Sequence, residues 1–327
     1  MDSEKSFDIS VVGLSCVDCI GRSPTSEWGV QNPVSDLRIA SGGLGNALVA
    51  LSGLGLKVGV STRIGTDVFG DYLLDRWRKL KVDTNGVTRD PDRSTALSFI
   101  VSHEGERTPF YAAGANAAFG LEDIAADVIE SSRCVLIFFA GALPSLDGDP
   151  MLRLVRQCHT AGAAVILDVI DSATADYGPI PTYLPYVNLV INSEEGRRIT
   201  GRQSPEEMLA ALEAMAGDSS NFLAVTRQGG AAVSAYQDEK RRHWDIASPF
   251  YGRPVNNVVG AGDAFRAGLA AYMCRHWDEY RDSRLDYAQM CLYASAVSYL
   301  YLSRGQDTRP FSQDDIEKQF SIMNVEL

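Results

Sequence analysis

The run Gly260-Ala261-Gly262-Asp263 opens a stretch, 264–276, in which Ala, Leu, Phe and Met recur at helical spacing. Two glycines let the backbone turn sharply, and the start of a helix presents unpaired N–H groups carrying roughly half a positive charge. The loop therefore suits an anion. Asp263 there has two readings: a helix cap, worth about 1 kcal/mol, or a base beside the anion. A dinucleotide fingerprint would need glycine where Phe265 stands, and an ionised Asp would repel a pyrophosphate. Phosphoryl transfer uses both groups, because amides hold the charge of the moving group while a carboxylate takes the proton of the attacking hydroxyl. The P-loop pattern G-x-x-x-x-G-K-[ST] is missing, which excludes that class of kinase.

Three further clusters have chemistry to offer. Ser41-Gly42-Gly43-Leu44-Gly45-Asn46 precedes a helix-like run, 47–54; its glycines permit close backbone approach. Asn46 can cap that helix or offer a paired donor and acceptor to vicinal hydroxyls. Asp18 follows the first strand-like run, at the carboxyl end where open α/β sheets place ligand groups; a solvated loop carboxylate is the plain alternative. Asn192-Ser193-Glu194-Glu195 reads as a capping box, and the same geometry can hold Mg²⁺, which keeps most of its waters and needs one or two carboxylates. Cys16-Val17-Asp18-Cys19 is formally C-x-x-C but lacks the second ligand pair or helix start that zinc or redox chemistry requires.

The elements that must position these groups alternate. Short β-branched runs at 9–14, 58–62, 134–140, 163–167, 187–191 and 222–226 read as strands buried on both faces. Helix-like segments at 47–54, 70–80, 151–161, 205–216 and 263–276 lie between or after them. The expectation is an α/β three-layer sandwich, a mostly parallel central sheet with helices on both faces. Two stretches, 21–39 and 96–111, break the pattern and are expected to form a small β lid, the second as a hairpin turning at His103-Glu104-Gly105-Glu106. With no linker or repeat, 1–327 is expected to be one domain.

Composition narrows the partners. A hydrophobic fraction of 45% and a charged fraction of 22% over 327 residues describe an ordinary folded chain. The net charge of −12, with Lys and Arg scattered, argues against nucleic acid. No apolar run approaches the ~18 residues of a membrane span and the start shows no signal pattern, so a cytoplasmic protein with six reduced cysteines is expected.

Gly260, Ala261, Gly262, Asp263 and Phe265 resemble the C-terminal signature D-T-x-G-A-G-D-x-F of the ribokinase-like (PfkB) carbohydrate kinases. The segment 41–46 is similar to that family's G-G-x-x-x-N-x-A, offset by one residue, and Gly13 to Asp18 to its G-x-x-x-x-D. Gly65-Thr66-Asp67-Val68-Phe69-Gly70 matches its G-x-D-x-x-G, taken here as a turn opening a helix. The resemblance runs from about residue 9 to 310. It implies Asp263 as catalytic base, the 260–262 amides as anion hole, Asp18, Gly42, Gly43 and Asn46 as sugar contacts, and Glu195 as a ligand to Mg²⁺ through water. ATP would lie along Asn192, Thr226 and Gly229, with adenine near 294–305. Asn257 and Val258 stand in place of D-T, leaving the family's monovalent cation open. Ala112 and Leu44 stand where arginine or lysine serves anionic acceptors, favouring a neutral sugar such as ribose or fructose. A nucleoside is the alternative, with Phe99, Phe110 and Tyr111 to stack a base. A non-catalytic sensor and a nicotinamide-linked oxidoreductase are alternatives of other classes. The resemblance also implies a homodimer through the lid.

Overall fold

A computed structural model describes residues 5–103, 106–172, 174–217, 221–226, 232–237, 242–250, 252–255, 259–304 and 310–323. Along the chain the strands are β1 (Phe7–Gly13), β2 (Ser15–Arg22), β3 (Ser35–Gly43), β4 (Val58–Gly65), β5 (Asp83–Asp90), β6 (Leu97–His103), β7 (Glu106–Ala112), β8 (Ser132–Ala140), β9 (Ala164–Val169), β10 (Asn188–Asn192), β11 (Phe222–Thr226), β12 (Ala232–Gln237) and β13 (Arg242–Ala247). Nine of them form the main sheet in the order β13-β12-β11-β10-β9-β8-β1-β4-β5. The seven from β11 to β5 run parallel, and β12 and β13 continue antiparallel at one edge.

Alternate residues of the central strands enter two separate cores. Ile9, Val11, Leu136 and Ile166 pack with the helices Gly45–Leu51, Ala261–Arg275 and Tyr287–Arg304. Val12, Ile137, Leu167 and Ile191 pack with Asp149–Thr160 and Pro205–Ala216. This is the expected three-layer arrangement, and it explains why these strands are nearly continuous apolar runs: both faces are covered. The six expected strands are all present. The strands β5, β12 and β13 had no such run to announce them. Among the described residues, no helix is long and apolar enough to cross a membrane.

The lid is a four-stranded sheet in the order β3-β2-β6-β7, with β2–β3 and β6–β7 antiparallel and β2–β6 parallel. The expected hairpin is therefore present, but the expected segment 21–39 is corrected to the strands Ser15–Arg22 and Ser35–Gly43. The polar Pro- and Gly-containing stretch marks only their connection. The lid begins at once because Gly13, with φ +134°, turns the chain out of the main sheet, at a point where a Cβ would run into the carbonyl of Phe138. Asp18 consequently lies within a lid strand, not on a loop following β1. Gly42 and Gly43 likewise belong to β3. Cys16 and Cys19, an odd number of residues apart on β2, point to opposite faces and cannot share a ligand.

Candidate active site

The helix Ala261–Arg275 starts from Gly260 at φ +82°, where a Cβ would also come within 2.9 Å of Asn46 Cγ and Tyr301 Oη. Its first intrahelical hydrogen bond is donated by Ala264 N to Gly260 O, at 2.9 Å. The amides of Ala261, Gly262 and Asp263 are thus outside the helical ladder. Asp263 does not cap the helix. Its Oδ2 accepts a hydrogen bond from Asn46 Nδ2 at 2.8 Å, and Asn46 Oδ1 in turn accepts one from Tyr301 Oη at 2.7 Å. Asn46 is no cap either, because it lies inside the helix Gly45–Leu51, whose N-cap is Leu44. Its buried amide is oriented by the tyrosine to present N–H to the carboxylate, a role that sequence reasoning missed.

Asp18 is buried on β2 and faces the same site. It sits against Gly42, where any Cβ would collide with its carboxylate, and Cys16 Sγ donates to its Oδ1 at 3.2 Å. Burial pushes the Asp18 carboxyl up to about 6; the Cys16 thiol draws it down and the negative charge of Asp263 adds to the rise. Burial also raises Asp263, against the pull of the Arg266 guanidinium and the Asn46 amide. The two carboxylates thus lie within electrostatic reach of each other, Asp18 on the lid and Asp263 in the first turn of the helix Ala261–Arg275.

A second buried cluster lies at the carboxyl ends of β9 and β10. Asn192 Oδ1 accepts from the amides of Glu194 and Glu195 at 2.9 and 3.0 Å, while Glu195 returns bonds to Asn192 N (2.8 Å) and Nδ2 (2.9 Å). The capping box is therefore real. Glu195 is also held where burial raises it to about 7, and the Arg266 guanidinium opposes that rise. Arg266 Nη2 meets Asp168 Oδ1 at 2.6 Å and Glu195 Oε2 at 3.9 Å, and its Nε donates to Val190 O at 3.1 Å. Phe139 N completes the cage by donating to Asp168 at 3.2 Å. Arg266 and Asp168 were missed in the sequence. The available signal was an arginine three residues after Asp263 on an otherwise small and apolar helix.

Thr226 lies across from Asn192 in the β10–β11 register, its hydroxyl donating to Ile191 O at 3.3 Å. Gly229, Asn257 and Val258 fall outside the described residues. Among the described residues no three His, Cys, Asp or Glu are grouped to ligate a metal directly. The donor set fits a hydrated Mg²⁺ instead: each Glu195 oxygen accepts one bond from Asn192 and retains acceptor capacity for a metal-bound water.

A doubly covered parallel sheet, a β lid, and a carboxylate in the first turn of a helix suit a small-molecule phosphotransferase. The pattern of the pfkB family carbohydrate kinases matches residues 6–314, and the chain belongs to that family. A 5-dehydro-2-deoxygluconokinase of Clostridium perfringens is 24% identical over 295 residues, covering 85% of this chain and 84% of that protein. The enzyme of the same name from Mesomycoplasma hyopneumoniae is 23% identical, covering 96% and 93%. Among solved structures, a ribokinase from Giardia lamblia superposes with a TM-score of 0.82 at 18% identity, covering 96% of this chain and all of that one. A fructokinase with bound ATP from Xylella fastidiosa superposes at 0.81 and 20% identity, covering 97% and 99%. The protein is a carbohydrate kinase.

Proposed function

We propose that the chain transfers the γ-phosphoryl group of ATP to a hydroxyl of a small sugar lying between Asp18 and Asp263. The observation that carries this is the bond from Asn46 to Asp263, which turns the carboxylate away from capping its helix and holds it at the N-terminal turn. In the reaction Asp263 accepts the hydroxyl proton, the freed oxygen bonds to the γ-phosphorus, and the bond to the ADP oxygen breaks. The amides of Ala261, Gly262 and Asp263 carry the charge that collects on the transferred group. Asp18 accepts hydrogen bonds from neighbouring hydroxyls; Gly42 leaves room for the Asp18 carboxylate itself, and Gly43, on the other face of β3, for Leu14 and Ser15. Glu195 would hold Mg²⁺ through water, where the ion would supply positive charge to the phosphates; Asn192 and Thr226 line the same strand ends.

The rows of the lid weigh against a nucleoside. Phe99 and Phe110 pair with each other and with Cys19, one residue along from the row of Asp18, so they occupy the opposite face; Phe110 there packs edge-on against Trp28 at 5.8 Å. Of the three aromatic candidates, only Tyr111 shares the face of Asp18. The named relatives divide between an acid sugar and neutral sugars, and the neutral expectation rested partly on Leu44, which is fully buried and no part of the acceptor surface. The opposite lid face, with Leu37, Ile39, Phe99, Phe110 and Trp28 all exposed, suits a second copy of the chain. One domain, a cytoplasmic location and a homodimer complete the proposal.

Asp263→Asn tests it. With ATP, Mg²⁺ and a panel of sugars and nucleosides, ADP release by the variant is expected to fall at least about 10²-fold. Wild-type turnover would remove the base assignment, and selective turnover of nucleosides by the wild type would remove the sugar.

A further inference from the structure

Paired residues of a sheet share a face, and each second residue returns to it. On β2, Cys16, Asp18, Ile20 and Arg22 therefore project to one side. On β3, Gly42, Ala40 and Arg38 project to that same side, because they pair with Cys16, Asp18 and Ile20 in turn. The parallel neighbour keeps the register, with Asp18 opposite Ser98, Ile20 opposite Ile100 and Arg22 opposite Ser102. This is the face turned towards Asp263, since the carboxylates of Asp18 and Asp263 lie within electrostatic reach of each other.

Moving out along this face from the base of the lid, the rows change in kind. The first two, with Gly42, Cys16 and Asp18, are buried and read hydroxyls. The next presents Arg38 beside Ile20, one step of two residues, or about 7 Å, from the row of Asp18. Arg22 stands one step further. Both arginines are exposed, and neither has an ion pair among the described residues, although Asp36 stands two residues before Arg38 on β3. The reverse face is apolar, with Leu37, Ile39, Phe99 and Phe110. Cations thus stand on the site-facing side of the lid, in a chain whose net charge is −12.

A negative acceptor entering between Asp18 and Asp263 meets a repelling field and needs local compensation. A guanidinium suits this, because its planar fork matches carboxylate or phosphate oxygens two at a time. We propose that Arg38, supported by Arg22, forms an anion-reading end of the acceptor subsite, so that the preferred acceptor is a sugar with a carboxylate or phosphate remote from the reacting hydroxyl. This rests on the kinase reading above and names its substrate class.

The test compares a keto-deoxy-aldonate, a hexose monophosphate and fructose, each with ATP and Mg²⁺. The ratio of kcat/KM for the better anionic acceptor over fructose is expected to exceed about ten. Arg38→Ala should reduce that ratio at least about tenfold through KM, Arg38→Lys should restore part of it, and added salt should lower it in the wild type. Whichever anionic acceptor responds to Arg38→Ala identifies the group read. The same selectivity is read without turnover as acceptor-dependent thermal stabilisation of Asp263→Asn, so failure of the base assignment leaves this proposal testable. A wild-type ratio at or below one, or a ratio that Arg38→Ala and Arg22→Ala both leave unchanged, overturns it.

Discussion

Asp18 and Asp263 lie within electrostatic reach of each other, and their titration should be visible in both activity and stability. On the proposed mechanism both must be ionised, one to accept hydroxyl protons as hydrogen bonds and the other to take a proton outright. Activity is therefore expected to fall as pH drops through about 6, where Asp18 takes up its proton, in a pH profile of kcat/KM. Stability runs the other way. A carboxyl raised in the folded state binds its proton more tightly there than in the unfolded chain, so folding loses stability as pH rises from the ordinary carboxylate range through about 6. Asp18→Asn should then stabilise the fold at pH 7.5, by an upper bound on the order of 2–3 kcal/mol read as a higher Tm, while lowering kcat/KM for the sugar. An unchanged Tm together with an unchanged pH profile would contradict the burial argument. Tyr301→Phe removes the hydroxyl that orients Asn46. It should cost about 1 kcal/mol of stability by removing a buried hydrogen bond and lower kcat more than it raises KM.

At the scale of elements, the helix Ala261–Arg275 is the part on which the site depends. Its N-terminal turn carries the proposed anion hole, and Arg266, one turn on, ties it to β9 through Asp168 and to the helix Ser193–Thr200 through Glu195. Arg266→Met is expected to destabilise by about 3–5 kcal/mol, because it leaves the Asp168 carboxylate buried without its partner. Adding Asp168→Asn should recover part of that in thermal unfolding without recovering kcat. Recovery of both would reduce Arg266 to a structural link. Behind the site the same helix packs tightly on Tyr287–Arg304: a Cβ on Gly268 would lie 2.6 Å from Ala294 Cα. Gly268→Ala should lower the Tm, by about 1–3 kcal/mol of overpacking, despite the better helix propensity of alanine.

For the whole molecule, the lid joins two surfaces of opposite character back to back. The face over the site mixes Asp18, Arg38 and Arg22 with Ile20 and Ile100, while the reverse exposes Trp28 at 86% and Leu37 at 65%. Such a patch on a chain of strong negative charge calls for a cover. Phe110→Asp is expected to shift sedimentation from a dimer to a monomer at micromolar concentration; a wild type that sediments as a monomer would leave the patch to another partner.

Local features were legible in the residues alone. Continuous β-branched runs identified the strands buried on both faces, a Gly-Ala-Gly-Asp turn before small apolar residues identified the base helix, and Asn192 with Glu195 spelled the capping box, because these depend on spacings of a few residues. Only the tertiary structure decided what is distant. Asn46 reaches Asp263 across 217 positions of chain, Arg266 finds Asp168 on another strand, and the lid register sends Asp18 to one face and Phe99 to the other. Periodicity specifies that a strand has two faces; it takes the packing of the lid on the sheet to choose which of them meets the site.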